Sequence, residues 1–528
     1  MFSTNRRWVI KCVFCALLLA AMGILFCACF SLYEFSEPDE FPTDALRLSW
    51  NYAEVEKGTT LEEALADLEI REGGARLSLS DVSIEGTYDP LVRGEYALTI
   101  SHGEKRAEVR VFVEAEGVEE NARFQTLDEL AEDLGLAVGI PSEGEVNLLV
   151  IPIGFSDRSY DGVRETLEIA FNGTEEETGW HSLRSYYAAS SFGKLDLRAT
   201  ILPTYQTGTR WKPRERTAVD QEYLTKAIAY FDDRIDYKKY DANEDGRIDC
   251  VYMIYLAPYV EDSDLWWAYE SEIDPPFWAY DGVRPSSYLW MSFEFFSDPI
   301  FYLFGEESDL GVSVNAETLI HETGHALGLD DYYDYINEET PYGGLGGLNM
   351  MDGNQGDHDP FSKAILGWIE PTFVYRTDYE AELSPFEETG DALIISKQGK
   401  NSYFQEYFIV CYYTPTGLFE LKSEKECGIL SAPGVLIYHV NAGLKSARRI
   451  GRLVEIYRMN NGKDPRLIRI CEADDDDSVD SSYYAEDDDL FLAGDTFSPA
   501  WSDGTPAGFA LTIGSIGDRA KVSVVFEG

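Results

Sequence analysis

Beyond its first thirty residues the chain holds only four cysteines, Cys250, Cys411, Cys427 and Cys471; the other four are Cys12, Cys15, Cys27 and Cys29. Four scattered thiols in so long a chain exclude a disulfide framework, although Cys411 and Cys427 leave room for one bridge. No Cys-x-x-Cys zinc knuckle occurs among them. Histidine is scarce too, with six in 528 residues, so a close pair carries information. Basic residues are outnumbered, 43 Lys plus Arg against 95 Asp plus Glu, for a net charge of −52. Such a surface repels phosphate backbones and argues against nucleic acid as a partner. No internal repeat is visible. What is plentiful is apolar: 45% of residues are hydrophobic and 13% aromatic, a globular composition. The length implies about three or four domains of roughly 150 residues.

Residues 1–32 stand apart. Arg6, Arg7 and Lys11 precede an apolar run from Cys12 to Leu32, and Glu34, Glu37 and Asp39 follow. Positive charge before an apolar stretch is the layout of an export signal. The run of about 20 residues is long enough to span a bilayer if it is retained. Ala28-Cys29 resembles the end of a bacterial lipoprotein signal, in which the Cys is lipidated. A cleaved signal peptide, a membrane anchor and a lipidated Cys29 all place the rest of the chain outside the cytoplasm, secreted or held to the outer face of the membrane.

Residues 43–116 read as a β-rich module. Tyr96, Leu98 and Ile100 alternate with polar residues, as do Val109, Val111 and Val113. Thr60 and Glu63 form a capping box that predicts a short helix over Leu61–Leu68. The stretch "GTYDPLVRGEYALTI…AEVRVFVE" resembles bacterial immunoglobulin-like domains of cell-surface proteins, which implies a β-sandwich. Residues 117–144 read as a linker with a short helix. The largest unit, 145–372, opens with the buried strand "VNLLVIPIGFSD", and helices are expected near Leu183–Ala189 and Gln221–Phe231 and a strand at Val251–Leu256. From 373 to 528 short strands dominate, as in "YFIVCYY", "GVLIYHV" and "KVSVVFE", and predict an all-β C-terminal domain. The acidic runs Asp474–Asp477 and Asp487–Asp489 read as a solvated loop rather than a metal cage.

The chemistry is concentrated in "NAETLIHETGHALGLDDYYD". His321 and His325 are four apart, so on a helix they project from one face. Neutral imidazoles at that separation can supply two corners of a tetrahedral Zn²⁺ site. Glu322 stands beside the first His, placed to take a proton from a metal-bound water whose pKa the ion lowers towards about 7. Gly328 lets the helix stop and the chain turn back. Asp331 then arrives as the third ligand, with Asp334 as the alternative. This spacing is the extended zinc motif of the metzincin type, with Asp where His is usual.

"HETGHALGLDDYYD" resembles the active-site motif of the immune inhibitor A family of secreted bacterial metalloproteases. "LVIPIGFSD", "SLRSYYAASSFGKLDL", "YDANEDGRIDCVYMIYLAP", "GGLNMMDGN…DPFSKAILGWIEP" and "EYFIVCYY…GVLIYHVNA" resemble further segments of that family in the same order, over roughly 145–525. The resemblance implies a metzincin-like α/β (α+β) catalytic domain and hydrolysis of peptide bonds in protein or peptide substrates. It also implies a Met lying under the zinc ligands, for which Met351 is the candidate and Met350 the alternative. The usual Met-x-Tyr is missing, since Gly353 stands two residues after Met351, so no Tyr is assigned there to polarise the carbonyl.

The run Asp241-Ala242-Asn243-Glu244-Asp245-Gly246-Arg247-Ile248-Asp249 places oxygen side chains at positions 1, 3, 5 and 9 with Gly at 6. That is the first part of an EF-hand-like loop, and Asp241, Asn243, Asp245 and Asp249 are the expected ligands of a structural Ca²⁺. Position 12 holds Tyr252 instead of Glu, so a complete EF-hand is excluded; the other reading is an acidic turn. His102, His181, His358 and His439 are assigned no ligand role. The reading is therefore an exported zinc endopeptidase. Its rival is a cell-surface binding protein with an inactive protease-like domain, which an intact Glu322 disfavours.

Overall fold

The structure is a computed structural model. It describes residues 46–527 except 73–74, 93, 115–116, 134–135, 137, 179, 215–218, 261–262, 264, 274–278, 286, 298–313, 335–342, 421–429, 445–447, 450–451, 454–459, 461–464, 475–478 and 480–483. The N-terminal segment with Cys29, and with it the anchor and signal readings, lies outside the described residues, as do Cys427 and Asp475–Asp477. No helix among the described residues is long and apolar enough to cross a membrane. The chain divides into two compact units, one ending at Ala115 and one running from Glu116 to Gly528. The architecture is mixed α/β, rich in sheet.

The first unit contains β1 (Leu46–Leu48), β2 (Tyr52–Glu56), β3 (Ile70–Glu72), β4 (Ala75–Leu77), β5 (Ser83–Glu85), β6 (Gly94–His102) and β7 (Lys105–Glu114). They form two sheets, ordered β1-β3-β4 and β2-β7-β6-β5. Leu46, Ile70, Leu98, Ile100, Val109 and Val111 from both sheets share one core. The alternation read from the sequence is the pleat of β6 and β7, whose every second side chain points inward. The Thr60–Glu63 capping box is present, but the helix it opens is a single turn, Leu61–Ala64, shorter than the expected Leu61–Leu68. Beyond Leu65 the bonds tighten to i→i+3, from the Leu68 N–H to the Leu65 carbonyl, and the α-helix is not continued.

The second unit begins with β8 (Gly117–Glu119) and a helix Leu127–Asp133, followed by β9 (Gly144–Gly154), β10 (Leu195–Ile201) and β11 (Tyr205–Gln206). Next come β12 (Arg247–Ile248), β13 (Val251–Tyr255), β14 (Tyr269–Glu272), β15 (Arg284–Pro285) and β16 (Ser287–Ser292). The main sheet is ordered β10-β9-β13-β16-β14. Its first four strands are parallel and β14 is an antiparallel edge. Strands buried on both faces must be apolar throughout, which is why β9 reads as one hydrophobic run. Val146, Leu148 and Val150 face one core; Leu149, Ile151 and Ile153 face the other. Helices Val163–Asn172, Leu183–Ser190 and Glu317–Ala326 lie on the first side, and Val219–Phe231 covers the second.

The β-rich remainder has a sheet ordered β24-β21-β20-β19-β17-β8, with β17 (Thr372–Tyr375), β19 (Ala392–Ser396), β20 (Glu406–Tyr413), β21 (Gly434–Asn441) and β24 (Ile468–Ile470). A second sheet is made of β18 (Tyr379–Leu383), β25 (Thr496–Phe497), β26 (Phe509–Ile516) and β27 (Ala520–Phe526); β22 (Arg448–Arg449) and β23 (Arg452–Leu453) pair separately. Along β20, Phe408, Val410 and Tyr412 pack towards the second sheet, whereas Tyr407, Ile409 and Cys411 join the core that holds the Glu317–Ala326 helix. One apolar core therefore runs across the boundary expected at 372/373. Residues 117–144 are stitched into this unit: β8 pairs with β17, the Ala122 N–H donates to the Pro371 carbonyl, and the Ile140 N–H donates to the Ala326 carbonyl at 2.9 Å. Cys411 is buried with a free thiol.

Candidate metal centre

The motif helix is seated by two buried tyrosines. The Tyr187 hydroxyl donates to the Ile320 carbonyl at 2.8 Å, and the Tyr252 hydroxyl lies 3.0 Å from Thr323 Oγ1. The helix ends in a turn whose bonds run from Gly328 N–H to the His325 carbonyl and from Leu329 N–H to the Gly324 carbonyl. That Schellman arrangement needs a residue at positive φ, and Gly328 supplies it with φ +91°. A side chain at 328 would also strike Leu127.

Each motif imidazole has its Nδ1 against a backbone carbonyl: His321 on Met350 at 2.9 Å and His325 on Leu329 at 2.8 Å. A carbonyl only accepts, so Nδ1 carries a proton in both rings and each Nε2 is left to face Asp331, offering a lone pair to a cation or an N–H to the carboxylate. The two Nε2 atoms meet Asp331 Oδ1 at 3.1 and 3.2 Å. His321, His325 and Asp331 are thus a group whose ligand atoms lie within 4.8 Å of one another. Asp334 is buried three residues further on and is not part of it.

Three acceptors facing one another are stable only around a cation or a proton. Burial would depress the His325 imidazolium, but its hydrogen bond and charge interaction with Asp331 outweigh that and push it up to about 10. Burial opposes ionisation of Asp331, and His321 and His325 overcome it, holding the carboxyl well below its ordinary range. The separations also suit a metal: tetrahedral ligands at about 2.05 Å from zinc stand about 3.3 Å apart. Glu322 is buried beside the group, and burial raises its carboxyl against the lowering effect of both histidines. The backbone N–H of Glu270, on edge strand β14, donates to the Glu322 carboxylate.

The two methionines divide the work. Both are fully buried in the short helix Met350–Gly353. Met351 lies against the motif helix at Gly324, where any side chain would collide with its sulfur. Met350 contributes the carbonyl that orients His321. Asn349 caps the Met351 N–H at 2.7 Å, and Asp352 accepts from the N–H groups of Gly343 and Gly347. His358, given no role by the sequence, is fully buried among Tyr186, Tyr187 and Trp368 and is not part of the ligand group.

In the Asp-rich loop, Asp241 accepts from the N–H groups of Asp245 and Gly246, both at 3.0 Å, and Asn243 accepts from Asp245. Asp245 accepts from Arg247 N–H at 2.8 Å and Asp249 from Ala242 N–H at 3.1 Å. Gly246 takes φ +83°, as the sharp turn requires. Asp241, Asp245 and Asp249 do not gather into one ligand group of the kind His321 forms. Burial pushes the Asp249 carboxyl up to about 8, with Asp241 and Asp245 adding repulsion. Glu472, Asp474 and Asp489 do bring one oxygen each within 4.8 Å, a proximity the solvated-loop reading did not anticipate.

The backbone carbonyls of Leu329 and Met350 and the N–H of Glu270 left no trace in the sequence, because main-chain atoms have no residue signature. No family model matches the chain, and no curated protein matches it.

Proposed function

We propose that this chain is an exported zinc-dependent endopeptidase. The observation that carries the reading is the convergence of His321 Nε2 and His325 Nε2, both tautomers locked by backbone carbonyls, on Asp331 Oδ1. When bound, Zn²⁺ supplies Lewis acidity that brings a water towards a pKa of about 7 and polarises a carbonyl oxygen. Glu322 takes the proton of the attacking water and returns it to the departing amine. Burial raises its proton affinity, which suits a group that must accept and then donate. The Glu270 N–H keeps the carboxylate in one orientation. Met351 closes the apolar floor beneath the helix and keeps water from the ligands' rear.

The same reading makes the 145–372 region a metzincin-like catalytic domain, supported by its parallel sheet with an antiparallel edge, its motif helix and its Met-containing turn. The 43–116 module is read as immunoglobulin-like, supported by its two sheets around one core. Asp241, Asn243, Asp245 and Asp249 are read as holding a structural Ca²⁺, supported by the sharp turn that Gly246 makes within the Asp-rich loop. The N-terminal charge pattern supports export, with attachment through the apolar run or Cys29. The test is incubation of the purified chain with an unfolded protein, with and without a chelator. Internal cleavages read by mass spectrometry, abolished by the chelator and restored by Zn²⁺, are the expected result; an intact substrate in every arm would refute the reading.

A further inference from the structure

The carbonyl that orients His321 is one end of a planar unit. Met350 C=O and Met351 N–H belong to the same peptide group, and in a trans peptide the two point in opposite directions. The Met350 oxygen accepts from His321 Nδ1 at 2.9 Å, and the Met351 N–H is held at 2.7 Å by Asn349 Oδ1. Whatever fixes the Asn349 side chain therefore fixes the direction in which His321 Nδ1 must bond. The Asn349 amide donates in turn from Nδ2 to Asp359 Oδ2 at 3.0 Å. A backbone N–H only donates and a carboxylate only accepts, so both neighbours set this amide in the same orientation.

Asp359 also reaches the segment that carries Asp331. Ser362 Oγ donates to the same Oδ2 at 2.6 Å and stands 2.8 Å from the Tyr332 hydroxyl, which must therefore donate to it. Tyr332 directly follows Asp331. Its N–H lies in the peptide group that carries the Asp331 carbonyl, and it donates to the Met351 carbonyl at 2.9 Å. The backbone on which His321 and Asp331 depend is thus tied together at Met351 and, by way of Asn349 and of Ser362 with Tyr332, to one carboxylate. All four side chains of this network are buried. Capping of the helix Pro360–Ile365 accounts for Asp359 Oδ1, which accepts from the Ser362 N–H at 3.0 Å. It does not account for Oδ2, whose two partners lead to the metal centre. Burial raises the Asp359 carboxyl against the lowering effect of its bonds from Ser362, a cost that a neutral cap such as Ser or Asn would avoid.

We infer that Asp359 is a positioning residue for the metal centre: it sets the His321 ring through Asn349 and the Met350–Met351 peptide, and the Asp331 backbone through Ser362 and Tyr332. The inference rests on the zinc reading of His321, His325 and Asp331 and adds the network that holds two of those ligands. Outer hydrogen-bond partners of this kind govern metal affinity by about 10- to 100-fold. Each bond of the network has one direction, and that makes it testable. Asp359→Asn keeps the volume and a good helix cap, but it sets two donors against each other however the two amides turn. The conflict falls between the amides themselves, at the Met351 N–H or at the Ser362 N–H. Exchanging the pair, Asp359→Asn with Asn349→Asp, puts one donor opposite one acceptor again and conserves charge. The hydroxyls of Ser362 and Tyr332 rotate to follow.

The test is Zn²⁺ binding by the full chain, measured well below its melting range by competition with a chromophoric chelator. Melting curves of the metal-free and zinc-loaded forms accompany it. Asp359→Asn should bind zinc about tenfold more weakly than wild type. The exchange should return the affinity to within about twofold. Tyr332→Phe, which loses one hydroxyl and little else, should also bind more weakly, by a smaller factor; it decides the question if Asp359→Asn does not fold. The visible spectrum of the Co²⁺-substituted protein should change in Asp359→Asn and be restored by the exchange. A network that only supports the fold would lower both melting temperatures alike and leave zinc affinity unchanged, and that result overturns the inference. So does a loss in Asp359→Asn that the exchange leaves uncorrected. Both outcomes leave the zinc reading standing. Wild type that binds no zinc overturns that reading and the positioning role with it.

Discussion

The Leu329 carbonyl accepts the Nδ1 proton of His325 at 2.8 Å, and the turn that presents it is the one that ends the motif helix. Helix termination and the orientation of the His325 ring are therefore one structural event centred on Gly328. Replacing Gly328 by Ala forces an L-residue into positive φ at about 1–2 kcal/mol and drives a methyl group against Leu127. Thermal melting should show lower stability, and zinc titration should show weaker binding because the Leu329 carbonyl moves. A variant with wild-type zinc affinity would separate the two roles.

If the proposed zinc site is right, His325→Ala removes one of its ligands. Wild type should carry about one zinc per chain by elemental analysis after dialysis, and the variant close to none. Asp331→Asn should lose most of its zinc as well, whereas Asp334→Asn should keep it. The opposite order would move the third ligand to Asp334.

Glu322→Gln keeps the side chain's size but removes the base. Zinc content should stay at the wild-type level while peptide cleavage falls by about 10²–10⁴. Wild-type protein that holds zinc yet cleaves nothing would favour a surface binding protein with an inactive protease-like domain.

The Asp-rich loop is probed by melting with and without Ca²⁺ in wild type and Asp245→Ala. Ion bound by the folded loop stabilises it by mass action, so the wild type should shift upward and the variant much less. Equal shifts would place the ion elsewhere, with Glu472, Asp474 and Asp489 the next site to mutate.

Glu406 gives a pH dependence well away from the metal. Burial resists its ionisation, but hydrogen bonds from His439 at 3.0 Å and Lys397 at 2.7 Å hold the carboxyl down to about 2, against an ordinary value of 4.5. The group is more acidic folded than unfolded. Its contribution, on the order of 2–3 kcal/mol, is therefore complete above pH 4.5 and lost as pH falls from there towards 2. The melting-temperature gap between wild type and Glu406→Gln should be widest near neutrality and close over that window. A gap independent of pH would show that packing, not charge, separates the two proteins.

The sequence made the motif legible because side-chain chemistry there is spelled out at helical spacing: His321, Glu322 and His325 share a helix, and Gly328 ends it. The helices over Leu183–Ser190 and Val219–Phe231 and the β13 strand were legible from their apolar periods, to within two residues at their ends. Which methionine touches the helix was not legible, since Met350 and Met351 differ only in which way each peptide turns. Nor was the place of residues 117–144. Their partners, Pro371, Tyr403 and Ala326, lie some two hundred residues away or more, and a short polar stretch carries no mark of distant pairing.

That stretch limits where the chain can be cut without disturbing the scaffold of the motif helix. The Ile140 N–H occupies the Ala326 carbonyl at the closing turn of the motif helix, the Ser142 carbonyl takes the Trp368 indole N–H at 2.7 Å, and β8 completes a sheet edge beside β17. A maturation cut upstream of Gly117 leaves all of these bonds in place. One at residue 140 would strip a main-chain donor from the scaffold behind His325 and bare the flank of β17. A chain trimmed past Ile140 should therefore melt at a lower temperature than one trimmed before Gly117, because only the first loses the main-chain bond to Ala326.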